Sequence, residues 1–240
     1  MSCYMEARSR RQAPGKNKIM KANSNRVSGL WTVVVLSLAA LLGACGILPG
    51  KSSLQPLRTY TLSASPAQGQ IEAGALEGAS CINGQVFLPR SAPGFNTARM
   101  AYLRSPERID YFAFSQWVDT PAYMLQPLLV EALARSGRFK HVVLAPSSIG
   151  SRFRLESDDL TLVQQFDGGV NRVRLALRVR LVDSAASRYL FDEAIVLERA
   201  AQGADPASGV AMANELTREL MEKVTAASQA AIDLSEFCSP

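Results

Sequence analysis

The residues predict an α+β fold: a mixed, largely antiparallel sheet with two main helices packed on one face. Three observations carry this. One nine-residue stretch is aliphatic at every odd position and carries arginine at three of its four even ones. Several neighbouring stretches are joined by short turn signals, as sequential hairpins are. Two segments place apolar residues at three- and four-residue steps behind a capping pair ending in proline.

Taken in order, Arg58-Thr59-Tyr60-Thr61-Leu62-Ser63 reads as a first strand. A loop rich in Ala, Gly and Glu follows from Ser65 to Gly78. Cys81 to Pro89 suggests a second strand, closed by Pro89 and Pro93. Met100–Arg104 and Arg108–Phe114 form a hairpin around Ser105-Pro106. A helix begins near Asp119-Thr120-Pro121, with Met124, Leu125, Leu128, Leu129, Ala132 and Leu133 on its apolar face. Glu131 and Arg135 pair on its outside, Pro127 should kink it or delay its start, and Gly137 stops it. Phe139–Leu144 is expected as a short buried strand.

The clearest strand is Val173–Leu181. Its odd positions are aliphatic, and its even ones carry Arg174, Arg178 and Arg180, with Arg172 just before, so one face meets the core and the other water. Asp167-Gly168-Gly169 turns Phe153–Phe166 into it. Ser184–Ser187 turns it into Tyr189–Leu197, which lets Arg178 face Asp192 and Arg172 face Glu198. Asp205-Pro206 then caps a long helix whose apolar line is Ala213, Leu216, Leu220, Val224, Ala227 and Ala231. Arg218–Glu222 and Glu219–Lys223 are expected as pairs on its far side.

The chain has 240 residues and a net charge of +5, but the charge is uneven. Residues 1–44 hold seven Lys/Arg against Glu6 alone, leaving 19 basic and 20 acidic side chains beyond them. Without those residues the protein is not basic, which removes the case for nucleic acid. One histidine, His141, and four scattered cysteines argue against a metal site and against histidine-based catalysis. There is no Gly-X-Ser-X-Gly elbow and no Walker-type loop, so no enzyme is expected.

Leu30–Leu42 is an uncharged apolar run of 13 residues behind a basic segment. It is short of the roughly 20 residues needed to span a bilayer, and it fits a secretory signal. Residues 1–44 are therefore expected as a signal peptide, with Met20 an alternative start. The run closes in Leu42-Gly43-Ala44-Cys45, which looks like a lipobox: cleavage between Ala44 and Cys45, and a diacylglycerol and an N-acyl chain on the Cys45 thiol and amine. Beyond that covalent lipid (palmitate or a similar chain) no cofactor is expected. Residues 45–56 then read as a lipidated tether rich in Gly, Pro and Ser, and residues 57–240 as one periplasmic domain.

The order of these features resembles the ABC-type transport auxiliary lipoproteins, the group that includes the lipoprotein of paraquat-inducible transport systems. The resemblance rests on the lipobox, Tyr60-Thr61-Leu62, and Tyr111–Phe114 leading into Gln116-Trp117-Val118-Asp119-Thr120-Pro121. It continues through Leu128–Phe139, the arginine-alternating strand and the terminal helix with Asn214, covering about residues 56–232. Gln116 stands where family members usually carry Arg, and Pro127 also departs from the pattern.

The resemblance implies a non-catalytic lipoprotein on the periplasmic face of the outer membrane of a Gram-negative bacterium. Gly46, in place of the Asp that retains lipoproteins in the inner membrane, agrees with that sorting. The implied partners are an MCE (mammalian cell entry) domain protein and an ABC permease with its ATPase, in a system that moves lipid between membranes. A homo-oligomer is compatible with this. The alternative is a lipoprotein that activates or pilots an envelope assembly machine, a peptidoglycan synthase or a secretin.

Two further groups carry alternatives. Cys81 and Cys238 are an even pair in an oxidising compartment, which favours a disulfide over two unrelated thiols. Arg172, Arg174, Arg178 and Arg180 either contact lipid headgroups or an acidic partner, or form the solvated face of a strand balanced by neighbours such as Asp192; the second is favoured. Trp117 is expected as a packed core residue, and His141 at a surface or edge.

Overall fold

Residues 55–64 and 81–238 are described by a computed structural model. The signal peptide, the lipobox, most of the tether and the 65–78 loop lie outside the described residues.

The elements are β1 (Arg58–Tyr60), β2 (Asn83–Val86), β3 (Arg99–Ser105), β4 (Arg108–Trp117), α1 (Pro121–Arg135) and β5 (His141–Leu144). They continue with β6 (Phe153–Asp167), β7 (Val170–Asp183), β8 (Arg188–Ala200), α2 (Pro206–Ala231) and a short α3 (Leu234–Phe237). This is an α+β fold built on one eight-stranded mixed sheet.

Strand β6 organises the sheet. Along one edge it pairs with β7, and β7 with β8, all antiparallel. Along its other edge its first residues pair in parallel with β2, which carries β5, while Gln164 and Gln165 pair in parallel with β3. Strands β3 and β4 form the expected hairpin, and β1 adds in parallel to β4. The change of partner along β6 coincides with a register shift between Asp158 and Thr161, where Asp159 sits at φ 54°. A bulge of this kind re-aims a strand so that two neighbours can share one edge. Four of the seven strand pairings among the described residues are parallel, so the sheet is less antiparallel than its hairpins suggest; the long ladders β6–β7 and β7–β8 remain antiparallel.

The turn between β6 and β7 needs glycine. Gly168 and Gly169 sit at φ 55° and 87°, the left-handed pair that a two-residue hairpin loop requires. In β7, Val173, Leu175, Leu177, Val179 and Leu181 are all buried, as the alternation predicts. They meet Leu216, Leu220 and Val224 of α2 in a core that also holds Leu125, Leu129 and Leu133 of α1.

Helix α1 opens at Pro121 with the Thr120 side chain accepting from the Tyr123 N–H. Pro127 does not delay it: the helix runs from Pro121 through Pro127 to Arg135. Proline leaves the carbonyl four residues earlier without its partner, and both Pro127 and Tyr123 are exposed, where water can serve it. The pair Arg135–Glu131 is present at 2.8 Å. Helix α2 is capped by Asp205 and buries Ala213, Leu216, Leu220 and Val224. Its buried line continues through Thr217 and Ser228, whose hydroxyls donate to the carbonyls of Ala213 and Val224, while Ala227 and Ala231 are half-buried. Arg218 pairs with Glu222, but Glu219 reaches Arg199 of β8 at 2.6 Å, not Lys223.

The 139–144 segment also departs from expectation. Phe139 is buried, but β5 pairs with β2 at the end of the sheet path, so His141 and Leu144 are exposed and the two valines between them half-buried.

Candidate functional site

The arginines of β7 stand on the sheet face away from the buried aliphatic row, and all four are engaged. Arg178 grips Asp192 of β8 through two hydrogen bonds, 2.6 and 2.8 Å. Arg172 and Arg174 share the two carboxylate oxygens of Glu198, at 3.3 and 3.4 Å. Arg180 pairs with Asp158 of β6, which Arg90 also reaches at 3.3 Å. Arg174 is directly opposite Glu198, whereas Arg178 reaches Asp192 diagonally: Arg178 is opposite Ala194, and Asp192 is opposite Arg180. Hydrogen bonding to Arg178 holds the Asp192 carboxyl below its ordinary range and raises the guanidinium in turn. The geometry favours the solvated-face reading of the stripe, because each cation already has an acid within the sheet. Asp158 escaped the sequence reading; its one signal is the Asp158-Asp159 pair interrupting the alternation of β6.

Cys81 and Cys238 are joined, with Cα atoms 5.6 Å apart, across a separation of 157 residues. Beside this link the C-terminal segment is held in other ways. The ring of Phe237 meets Phe153 edge-on at 5.2 Å, and the Arg152 guanidinium lies 4.6 Å from the centre of Phe237. Arg188 pairs with Glu236 at 3.0 Å. Arg152 itself forks onto Asp183 at 3.0 and 2.8 Å. Asp183 is wholly buried and also accepts from the N–H groups of Ala185 and Ala186, so it closes the β7–β8 turn. The Arg152 hydrogen bonds hold its carboxyl below the usual range.

Trp117 is buried and lines a small cavity of about 20 Å³ with Met100, Leu162 and Val173. Asn214 on α2 accepts the Ser63 N–H at 3.0 Å, tying the chain after β1 to the helix. Cys45 and Ala44 lie outside the described residues. Among the described residues no cluster of three or more His, Cys, Asp or Glu side chains could hold a metal ion.

The sequence reading also passed over an aromatic groove. Tyr102, Phe112 and Phe166 form a ring cluster with centroids 4.7 to 6.5 Å apart. They line a groove of about 460 Å³ with Arg104 and Tyr111. Through Phe112 and Ala113 it adjoins a second, of about 380 Å³, lined by Gln55, Pro56, Arg58 and Phe114. The signal was Tyr111-Phe112-Ala113-Phe114, which puts aromatic rings on both faces of one strand.

A family model described as the ABC-type transport auxiliary lipoprotein component matches residues 60–225. No curated protein matches the chain. Among solved structures, a protein from Xanthomonas campestris superposes with a TM-score of 0.56 at 19% identity, covering 72% of this chain and 97% of its own. An uncharacterized protein gives a TM-score of 0.52 at 12% identity, covering 71% of this chain and 97% of its own. Those two likenesses speak for the fold. The family match spans well over half of the 240 residues, and the chain belongs to the family of ABC-type transport auxiliary lipoprotein components.

Proposed function

We propose that this chain is the non-catalytic lipoprotein that holds an ABC/MCE-type lipid transport assembly at the periplasmic face of the outer membrane. The observation that carries the reading is the family match over residues 60–225, whose description names an auxiliary component of ABC-type transport. The Leu42-Gly43-Ala44-Cys45 motif supports a diacylglycerol and an N-acyl chain on Cys45, more than the single chain that binds a membrane only reversibly. Gly46 supports sorting to the outer membrane. The paired charges of the β6–β8 face and the disulfide suit a structural part of an extracytoplasmic assembly. Its partners are an MCE-domain protein and the ABC permease with its ATPase.

Affinity capture of the lipoprotein from crosslinked cells, with mass spectrometry of what is retained, tests this. An MCE-domain protein with ABC subunits is the expected result. A peptidoglycan synthase or a secretin in their place would overturn the transport reading and make the chain an assembly factor.

A further inference from the structure

The aromatic groove lies where the described part of the chain enters the domain, at Gln55 and Pro56. Strand β1 pairs with β4 in parallel, Arg58 opposite Ser115. The chain before Arg58 therefore runs back along β4 toward Phe112, and Gln55 and Pro56 line the groove beside Phe112 and Phe114. Among the described residues this part of β4 carries no strand partner on the β1 side, because the pairing ends at Ser115. Leu57 is 55% exposed and Phe114 50%, and Tyr102, Phe112 and Phe166 are half-buried. The chain thus enters the domain through an uncovered apolar strip, and such strips mark surfaces that meet a partner or a membrane.

We infer that this strip, from Leu57 and Phe114 to Tyr102, Phe112 and Phe166, docks on the phospholipid surface that holds the Cys45 anchor. The inference rests on the lipidation of Cys45 proposed above. Gln55 lies ten positions after Cys45, a reach of at most about 35 Å when extended, so the strip is the part of the domain tied nearest to the bilayer. Its chemistry fits an interface. Aromatic rings settle at headgroup level, and arginines bury their stems while the charge stays among phosphates. Arg58 and Arg104 line the two grooves, Arg104 over the Tyr102 ring at 5.6 Å, and no carboxylate lines either among the described residues. Docked this way, the domain lies against the membrane in one orientation, with its charged β6–β8 face free for protein partners.

Phe114→Trp tests the inference in the full mature lipoprotein, reconstituted in phosphatidylethanolamine/phosphatidylglycerol vesicles with and without brominated acyl chains. Phe114 is half-exposed, so the larger ring does not disturb the core, and removal of the leader leaves Trp117 as the only other tryptophan. With the wild-type signal of buried Trp117 subtracted, the introduced indole should emit at shorter wavelength than an indole in water, be quenched by the brominated chains and be shielded from aqueous acrylamide. An indole open to acrylamide and untouched by bromine would overturn the docking. One shielded from both would show the strip covered by a second copy of the chain, and would overturn it as well. The mass of the N-terminal peptide reads the anchor separately. Lipidated Cys45 with an unquenched indole removes the docking and leaves the anchor; unmodified Cys45 with a quenched indole on added vesicles does the reverse.

Discussion

Asp183→Ala is expected to loosen the C-terminal end of the domain. Asp183 has no exposed surface and takes four N–H groups: two from Arg152, at 3.0 and 2.8 Å, and those of Ala185 and Ala186, at 3.1 and 3.3 Å. Alanine leaves the guanidinium without its acid and the turn without its acceptor. Breaking a buried pair from one side costs about 3–5 kcal/mol; the Arg152 side chain is 38% exposed and regains water, which places the cost near the lower end. For a domain of this size about 3 kcal/mol corresponds to a Tm lower by about 6–12 °C. Asp183→Asn, which keeps a turn acceptor but not the charge, should fall between.

The pH dependence follows from the sign of the shift. An unfolded aspartate ionises near 3.9, and Arg152 holds the folded value lower. The stabilisation is therefore complete above about pH 5 and is lost as the pH falls through the depressed folded value. Urea midpoints of wild type and variant from pH 7 to pH 3 check this: the gap should stay constant to about pH 5 and narrow below about pH 4. Equal midpoints at pH 7, or a gap unchanged at the acid end, would refute the reasoning.

Two other perturbations follow from the packing. Replacing Cys81 and Cys238 by serine opens a loop closed over 157 residues, worth about 5 kcal/mol in the chain-entropy model. The denaturant midpoint should drop accordingly, and the wild type should take up alkylating reagent at these two thiols only after reduction; uptake before reduction would contradict the bond. At Gly209 an added methyl group meets the Gln164 amide, with Cδ at 2.9 Å and Oε1 nearer still. Gly209→Ala should push Gln164 off Asn171 and destabilise by about 1–3 kcal/mol despite the better helix former. In a Gln164→Ala background the same change should be neutral or stabilising in a thermal melt, and an unchanged penalty there would sink the explanation.

What the residues disclosed in advance is what local pattern can carry. Val173–Leu181 announces its buried face because the strand period is two, and Thr120-Pro121 and Asp205-Pro206 announce helix starts because their side chains serve orphan N–H groups. The parallel pairing of β2 and β3 to β6 was not legible, since a strand's own sequence does not name a distant partner. Nor was the edge position of β5, whose valines look the same in a covered strand and a marginal one. Glu219 shows the same limit: its helical neighbour Lys223 is four residues away, yet Arg199 on another strand takes it. For the site, Asp192 and Glu198 were legible as answers to the arginine stripe because they lie on the next hairpin strand, but Asp158, which answers Arg180, was not, because it comes from a strand whose alignment depends on a bulge.

The proposed role of this lipoprotein is to hold the transport assembly at the outer membrane through Cys45. Its most direct measurement is the MCE-domain protein recovered with crosslinked outer-membrane fragments, in cells carrying either the wild type or Cys45→Ala. The account predicts recovery with the wild type. With Cys45→Ala that recovery should be lost, while the folded, unattached variant still captures the MCE protein from the periplasmic fraction. Equal recovery with both, or Cys45→Ala remaining wholly in the membrane fraction, would contradict it.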